Sequence, residues 1–332
     1  MIEKTSLKHL RDNKNLLAFS GGVDSSALFF LLLEENIKFD IAIVDYGMRK
    51  QSKEEVKYAK DLASKYNLLC HVYDAKKIEK NFEAKAREIR YDFFEKLIKT
   101  YSYDNLITAH HLGDRFEWML MQFCKGAGCI EMAGMSKIES RDFYTIIRPL
   151  LHLDKPELLA FLSKNSIKYF QDETNLDEDI KRNFFRHNIT TPLLNRYLDG
   201  IKKSFRYIDE DRESLIVDIK INIIDDFAYF QSSNNKRADI FTIDKYLKSQ
   251  LYMATSKERE LLKIQKTVIL GRKFIVNQEH GFIFIAPYKK QDINMSKEFK
   301  EQMRLLKIEP KLRPYLYKNE KVLLKIKELF DK

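Results

Sequence analysis

The chain has 332 residues, 44% of them hydrophobic and 33% charged, with 59 Lys and Arg against 49 Asp and Glu for a net charge of +10. This profile, with 23 Phe and 17 Tyr to fill cores, excludes a mainly disordered chain and, at roughly 150 residues per domain, predicts about two domains. The longest strongly apolar run, Ala27 to Leu33, is far short of the ~20 residues that cross a bilayer, and the polar start lacks a secretory signal core, so a cytoplasmic protein with no membrane span is expected.

Runs rich in branched and aromatic residues at Leu16 to Phe19, Phe39 to Val44, Leu69 to Tyr73 and Leu106 to Thr108 predict strands separated by stretches of helical length. Their alternation predicts an α/β fold with a doubly wound parallel sheet. The turn after the first strand reads Ser20, Gly21, Gly22, Val23, Asp24, Ser25 and leads into an apolar helical run. Two glycines let the backbone approach a ligand, the serines add donors, and the helix start supplies free N–H groups, so the turn suits an anion such as a polyphosphate. A Walker lysine is missing, because no Lys occurs until Lys38. The compensating charge is therefore expected from Mg²⁺, with Asp24 holding the ion or its water shell.

Ser52 and Glu55 then read as a capping box that starts a helix after the second strand, and the apolar spacing predicts another helix over 82 to 100. Glu83 and Arg87 within it, spaced i and i+4, suit a helical ion pair. After the fourth strand, His110, Asp114 and Glu117 at i, i+4 and i+7 are expected on one helix face, at the strand end where such sheets bind ligands. Asp114 and Glu117 both suit cation-holding or general-base chemistry, and which of them would be a base stays open. His111 suits a capping or packing role. Cys70, Cys124 and Cys129 form no CxxC pair, so neither a disulfide framework nor a zinc module is predicted, and all three read as reduced.

Past about residue 200 the pattern changes. Leu215 to Ile224, Val268 to Leu270, Lys273 to Val276 and Phe282 to Ile285 read as strands, the last two joined across Asn277 to Gly281, with helices near 245 to 264 and 318 to 330. Residues 1–205 are expected to form the first domain and 206–332 a smaller α+β domain. Residues 1–200 hold 31 Lys and Arg against 30 Asp and Glu, and residues 201–332 hold 28 against 19. A basic module beside a neutral one suits a polyanion, because neutralised phosphates release counterions; a solvated lysine face is the alternative.

Ser20 to Ser25 resembles the signature of the PP-loop ATP-pyrophosphatase family, of adenine nucleotide alpha hydrolase-like fold, whose members bind the β,γ-pyrophosphate of ATP there and transfer AMP. Val44 to Arg49, Asn81 to Tyr91, Thr108 to Glu117, Lys125 to Gly128, Arg148 to Leu151, Asp172 to Asn175 and Arg182 to His187 are similar, in order, to tRNA(Ile)-lysidine synthetases of the short form. Tyr46, Gly113, Trp118, Glu173 and Thr174 depart from that pattern. The resemblance implies ATP and Mg²⁺ as cofactors, with Ser20, Gly21, Gly22, Val23, Asp24 and Ser25 on the nucleotide. It implies Asp24, His110, Asp114 and Glu117 in catalysis, Asp24 and Asp114 on the metal, and Glu83 and Arg87 on the substrate. Arg182, Asn183, Arg186 and His187 would clamp tRNA phosphate or the anticodon loop, or form only a solvated basic face.

The implied reaction adenylates the wobble cytidine of the CAU anticodon of tRNA(Ile) and joins free L-lysine to C2. Lysidine formation switches reading from AUG to AUA and charging from Met to Ile. Two other classes share the loop: thiolating tRNA enzymes or small-molecule adenylating synthetases on one side, and an RNA-binding module with a degenerate ATP site on the other. A homodimer stays open.

Overall fold

A computed structural model describes residues 1–47, 50–75, 78, 82–171, 181–215, 219–289 and 293–330, with only the backbone of Lys50, Glu83, Ile130 and residues 213–215. Arg49, Asn81, the Glu83 side chain and the Asp172 to Asn175 segment, all singled out above, lie outside it. The chain divides into two compact units, Met1–Arg212 and Glu213–Lys332.

The first unit runs α1 (Lys4–Arg11), β1 (Asn15–Ala18), α2 (Val23–Glu34), β2 (Phe39–Asp45), α3 (Lys50–Tyr66), β3 (Cys70–Asp74), α4 (Phe82–Tyr101), β4 (Asn105–Ile107) and α5 (Leu112–Phe123). It continues with α6 (Cys129–Ala133), β5 (Ile138–Ser140), β6 (Thr145–Ile147), α7 (Lys155–Lys164), α8 (Lys181–Phe185) and, after a π-helical turn over Arg186–Thr190, α9 (Thr191–Leu215). The sheet order is β3-β2-β1-β4-β6-β5, parallel except for β5. Leu16 and Leu17 on successive faces of β1 are both fully buried, as a parallel strand covered by helices on two sides requires. The chain winds outward through β2 and β3, then returns to place β4 on the other side of β1. A switch point therefore opens between the ends of β1 and β4, the crevice where such sheets take ligands.

Ser52 is not the start of its helix. It lies inside α3, which already includes Lys50 and Gln51. The expected domain boundary at 205/206 falls within α9, and the helix remains part of the first unit as far as Arg212 because Phe205 and Ile208 pack with Leu112 and Phe116 of α5. Asp209 also accepts from both terminal nitrogens of the buried Arg115, at 2.9 and 2.5 Å. Arg115 further donates to the Ala133 carbonyl and sits 4.4 Å from the Phe205 ring centroid. An unpaired guanidinium there would cost several kcal/mol, so α5, α6 and α9 are tied together through one side chain.

The second unit comprises β7 (Asn222–Ile224), β8 (Phe227–Gln231), α10 (Lys236–Ser249), α11 (Ser256–Ile264), β9 (Thr267–Leu270), β10 (Phe274–Glu279), β11 (Phe282–Pro287), α12 (Lys297–Leu305), α13 (Arg313–Lys318) and α14 (Glu320–Phe330). Its antiparallel sheet has the order β7-β8-β11-β10-β9 and a core on each face. Strand β8 and helix α12 were not expected from the sequence. The predicted helix over 245 to 264 is two helices, because Asp244 to Ser249 end α10 and Thr255 begins α11 with its own capping box. The hairpin loop is shorter than expected: β10 pairs with β11 as far as Glu279↔Phe282, and His280 and Gly281 turn the chain with positive φ of 50° and 76°. Among the described residues, no helix is long and apolar enough to cross a membrane.

Candidate active site

The turn between β1 and α2 is braced from within. Gly21 adopts φ +74°, and a Cβ there would stand 3.3 Å from the Phe170 ring, so only glycine fits without strain. Phe170 N–H donates to the Gly21 carbonyl at 2.9 Å. The Ser20 and Ser25 hydroxyls lie 3.0 Å apart, Ser25 Oγ donates to the Gly22 carbonyl, and Ser26 Oγ donates to the Gly21 carbonyl. Ser25, expected to offer its hydroxyl outward, is buried and supports the loop instead. No side chain caps α2, whose N-cap is Gly22. The N–H groups of Val23, Asp24 and Ser25 in its first turn lack intrahelical acceptors and carry the positive end of the dipole.

The neighbouring strand end is built differently. His110 is not on the helix face predicted for it. Helix α5 begins at Leu112, and His111, in extended conformation, is its N-cap. His111 Nδ1 accepts from Gly113 N–H at 3.0 Å while Asp114 accepts from His111 N–H at 3.1 Å, a reciprocal cap that holds Asp114 in the first turn. Because Nδ1 accepts, Nε2 bears the proton of the neutral ring. It lies 3.6 Å from Asp114 Oδ2 and 3.9 Å from Asp24 Oδ1. The nucleotide-side turn and the start of α5 thus meet at one imidazole edge. His110 instead turns its Nδ1 to Thr108 Oγ1 at 2.9 Å. Burial drives its pKa down to about 4, with Arg148, Arg87 and Arg182 adding to the effect and Asp114 opposing it, so the ring is neutral at pH 7.

Arg182 and Arg186, anticipated as tRNA clamps, close over the carboxylates. Arg182 donates from Nε to Glu117 Oε1 and from Nη2 to Asp114 Oδ1 at 3.0 Å. Arg186 repeats the pattern, from Nε to Glu117 Oε2 at 3.0 Å and from Nη2 to Asp114 Oδ1 at 3.3 Å. Each guanidinium bridges both acids. Their i, i+4 spacing and the π-helical turn that begins at Arg186 aim both at one target. Glu117 is 1% exposed, and such a buried carboxylate needs this pairing. Burial alone would raise the Asp114 carboxyl, but His111, His110, Arg182 and Arg186 outweigh it and hold the group well below the usual carboxylate range.

Asn183 is buried beside the arginines and His187 half-buried. Arg87 is exposed on α4, 4.8 Å from the Tyr91 ring centroid. Arg148 is buried, donating to the Ser136 carbonyl at 2.9 Å and to Glu139 at 2.8 Å, so it braces β5 against β6. Cys124 and Cys129 are exposed and free, at the end of α5 and the start of α6.

Sequence reasoning missed Lys155. This residue opens α7, and its Nζ lies 2.7 Å from Asp24 Oδ1, 131 positions away in the chain. The Asp154 to Glu157 capping box around it was a legible signal for a helix start; which strand end that helix faces was not.

Among the described residues no group of three or more His, Cys, Asp or Glu side chains is placed to hold a metal ion. Two carboxylates at the edge of an anion-binding turn nevertheless suit a hard cation that keeps most of its water and takes its remaining oxygens from phosphate.

A family model of the PP-loop domain matches residues 2–193. The tRNA(Ile)-lysidine synthase of Helicobacter pylori is 42% identical over 315 residues, spanning 95% of this chain and 92% of its own. Those of Wolinella succinogenes and Campylobacter jejuni are 42% and 40% identical, each across 96% of this chain and 97% of theirs. Among solved structures, the U34-tRNA thiolase NcsA from Methanococcus maripaludis with its 4Fe-4S cluster matches with a TM-score of 0.53 over 66% of this chain and 80% of that one, at 17% identity, a likeness of fold.

Proposed function

Because the chain belongs to the PP-loop family and, within it, to the tRNA(Ile)-lysidine synthase family, we propose that it joins free L-lysine to the wobble cytidine of a CAU anticodon, using ATP and releasing AMP and pyrophosphate. The observation that carries this reading is the meeting of the anion-binding turn and the acidic start of α5 at His111 Nε2, 3.9 Å from Asp24 and 3.6 Å from Asp114. One crevice then serves both half-reactions.

The backbone N–H groups of Val23, Asp24 and Ser25 cradle the pyrophosphate end of ATP, and the conformation of Gly21 and Gly22 lets it approach. Asp24, with Asp114 through water, would hold a Mg²⁺ ion that neutralises phosphate charge when bound. The cytidine ring carbonyl oxygen attacks the α-phosphorus, and the lysine ε-amine then displaces AMP from C2. Freeing that amine of its proton at pH 7 costs roughly 4.6 kcal/mol for an ordinary lysine, so a base must stand near it. Asp114, held well below the usual carboxylate range, is a poor proton acceptor and serves as the fixed charge that orients the ammonium. Glu117 is the base in this reading once Arg182 and Arg186, which hold both of its oxygens in the free protein, turn outward, and neutral His110 is a hydrogen-bonding partner. Glu83 and Arg87 offer opposite charges for the lysine α-ammonium and α-carboxylate. When tRNA binds, Arg182 and Arg186 exchange the carboxylates for the anticodon phosphates, joined by Asn183 and His187, and the second unit, with 24 Lys and Arg against 16 Asp and Glu, adds affinity for the rest of a cytoplasmic tRNA.

The test is ATP turnover with a tRNA bearing a CAU anticodon, with and without lysine. AMP and pyrophosphate should form, and labelled lysine should enter RNA through its ε-nitrogen. Lysine-independent modification, or sulfur incorporation from a persulfide donor, would sink the reading.

A further inference from the structure

Lys155 lies outside every motif that marks the site, yet its ammonium sits on Asp24, at the edge of the turn that has no lysine of its own. Its backbone is held firmly. Asp154 Oδ1 accepts from Glu157 N–H at 2.9 Å while Glu157 accepts from Asp154 N–H at 2.7 Å, and Pro156 fixes the first turn of α7. Leu112 N–H donates to the Leu153 carbonyl at 2.9 Å, which ties this corner to the start of α5. Leu158 and Leu162 of α7 share a core with Leu28, Leu31 and Leu32 of α2. The side chain, by contrast, is 41% exposed and Asp24 30%. An ion pair so open to water contributes about 0–1 kcal/mol, too little for stability to account for it. A flexible cation on a rigid base, aimed at an anion-binding turn, has a different use.

We propose that Lys155 is a catalytic residue of the adenylation step: it rests on Asp24 in the free enzyme and passes to the β,γ-phosphates when ATP occupies the turn. This rests on the reading above that the turn takes the pyrophosphate end of ATP. In that step the cytidine carbonyl oxygen forms a bond to the α-phosphorus, and the bond from the α-phosphorus to the α,β-bridging oxygen breaks. The electron pair of the broken bond stays on the bridging oxygen, so pyrophosphate gains a negative charge as it departs. An ammonium placed there meets charge that develops only in the transition state, which lowers the barrier and not merely the dissociation constant. Before ATP arrives, the same ammonium neutralises Asp24, whose carboxylate would otherwise repel the incoming polyphosphate. Its transfer leaves Asp24 free for a hydrated Mg²⁺.

The experiment compares the full-length wild type with Lys155→Met and Lys155→Arg, using ATP, lysine and tRNA with a CAU anticodon. Lys155→Met should lower kcat for pyrophosphate release by about 10²-fold while the KM values for lysine and tRNA stay within about twofold, and Lys155→Arg should recover at least about tenfold. A second readout does not depend on turnover: the inhibition constant of inorganic pyrophosphate should rise about tenfold in Lys155→Met, with the Kd for tRNA unchanged. A purely structural ion pair would shift Tm and leave pyrophosphate inhibition alone. Turnover of Lys155→Met within about threefold of wild type, or pyrophosphate binding as tight as in the wild type, overturns the proposal. If the wild type forms no lysidine, it is the functional reading that fails, and pyrophosphate binding alone then decides the role of Lys155.

Discussion

The two neighbouring strand ends that make up the site solve opposite problems. The turn after β1 is built from backbone: six consecutive residues, a glycine at φ +74° and an uncapped helix start present free N–H groups suited to an anion, without a charged side chain inside the loop being required for its shape. The end of β4 works with side chains: Asp114 and Glu117 on α5 meet Arg182 and Arg186 from residues more than sixty positions away, and each arginine bridges both acids. A backbone site is complete once its turn forms. A side-chain site depends on how two helices dock, and the Asp114 carboxyl is held well below its usual range against burial by His111, His110 and the two guanidinium groups. Affinity for the nucleotide should therefore be robust and local, and acid–base competence fragile and distributed.

That contrast can be broken in several ways, the strongest at Asp24. Asp24→Asn should lower AMP formation by about 10³-fold in a steady-state assay with tRNA affinity retained, since it removes a charge at the phosphate end and nothing that shapes the loop. Turnover within a few-fold of wild type would show the backbone to be sufficient by itself. Next in size, Glu117→Gln should cost about 10²-fold in lysine transfer. It should also lower stability by about 2 kcal/mol in urea titration, because both guanidinium groups lose a charged acceptor; a loss of activity without any loss of stability would separate the base from the brace.

Deleting residues 213–332 should raise the Kd for tRNA more than about tenfold and flatten its salt dependence, measured on a fragment shown by circular dichroism to be folded. Unchanged binding would mean that the +8 charge of this unit, 24 basic against 16 acidic residues, is only a solvated surface. The smallest effect concerns His110. Its folded pKa of about 4 lies below the ordinary 6.5, so as pH falls through that window the unfolded chain takes up a proton that the folded one refuses, and stability drops. His110→Gln should make the decline in Tm between pH 6.5 and 4 shallower while leaving Tm at pH 7.5 nearly unchanged.

Much of this was legible in the chain itself. Strands β1 to β4, four of the five parallel ones, the glycine turn after β1 and the acidic start of α5 all follow from patterns within about ten residues, where backbone geometry and hydrophobic period act directly; β5 and β6 were not read. The second unit was read less well: β8 is too short and too evenly buried to show alternation, and its Phe227 to Phe230 run is equally compatible with a core helix. The His110 register was missed for a local reason, since one residue decides whether a helix starts at His110 or uses His111 as its cap.

Composition and local order thus determined that this is an α/β protein of two units with a Gly-Gly turn leading from its first strand into a helix, because glycine conformation, capping and periodicity are properties of neighbouring residues. Only the tertiary structure decided what surrounds the charges. That Arg182 and Arg186 turn inward onto Asp114 and Glu117, that one edge of His111 faces both Asp24 and Asp114, and that Lys155 comes to the lysine-free turn from α7 are outcomes of sheet order and helix docking. Electrostatic interactions act through space and not along the chain, so which charges meet is fixed by the fold.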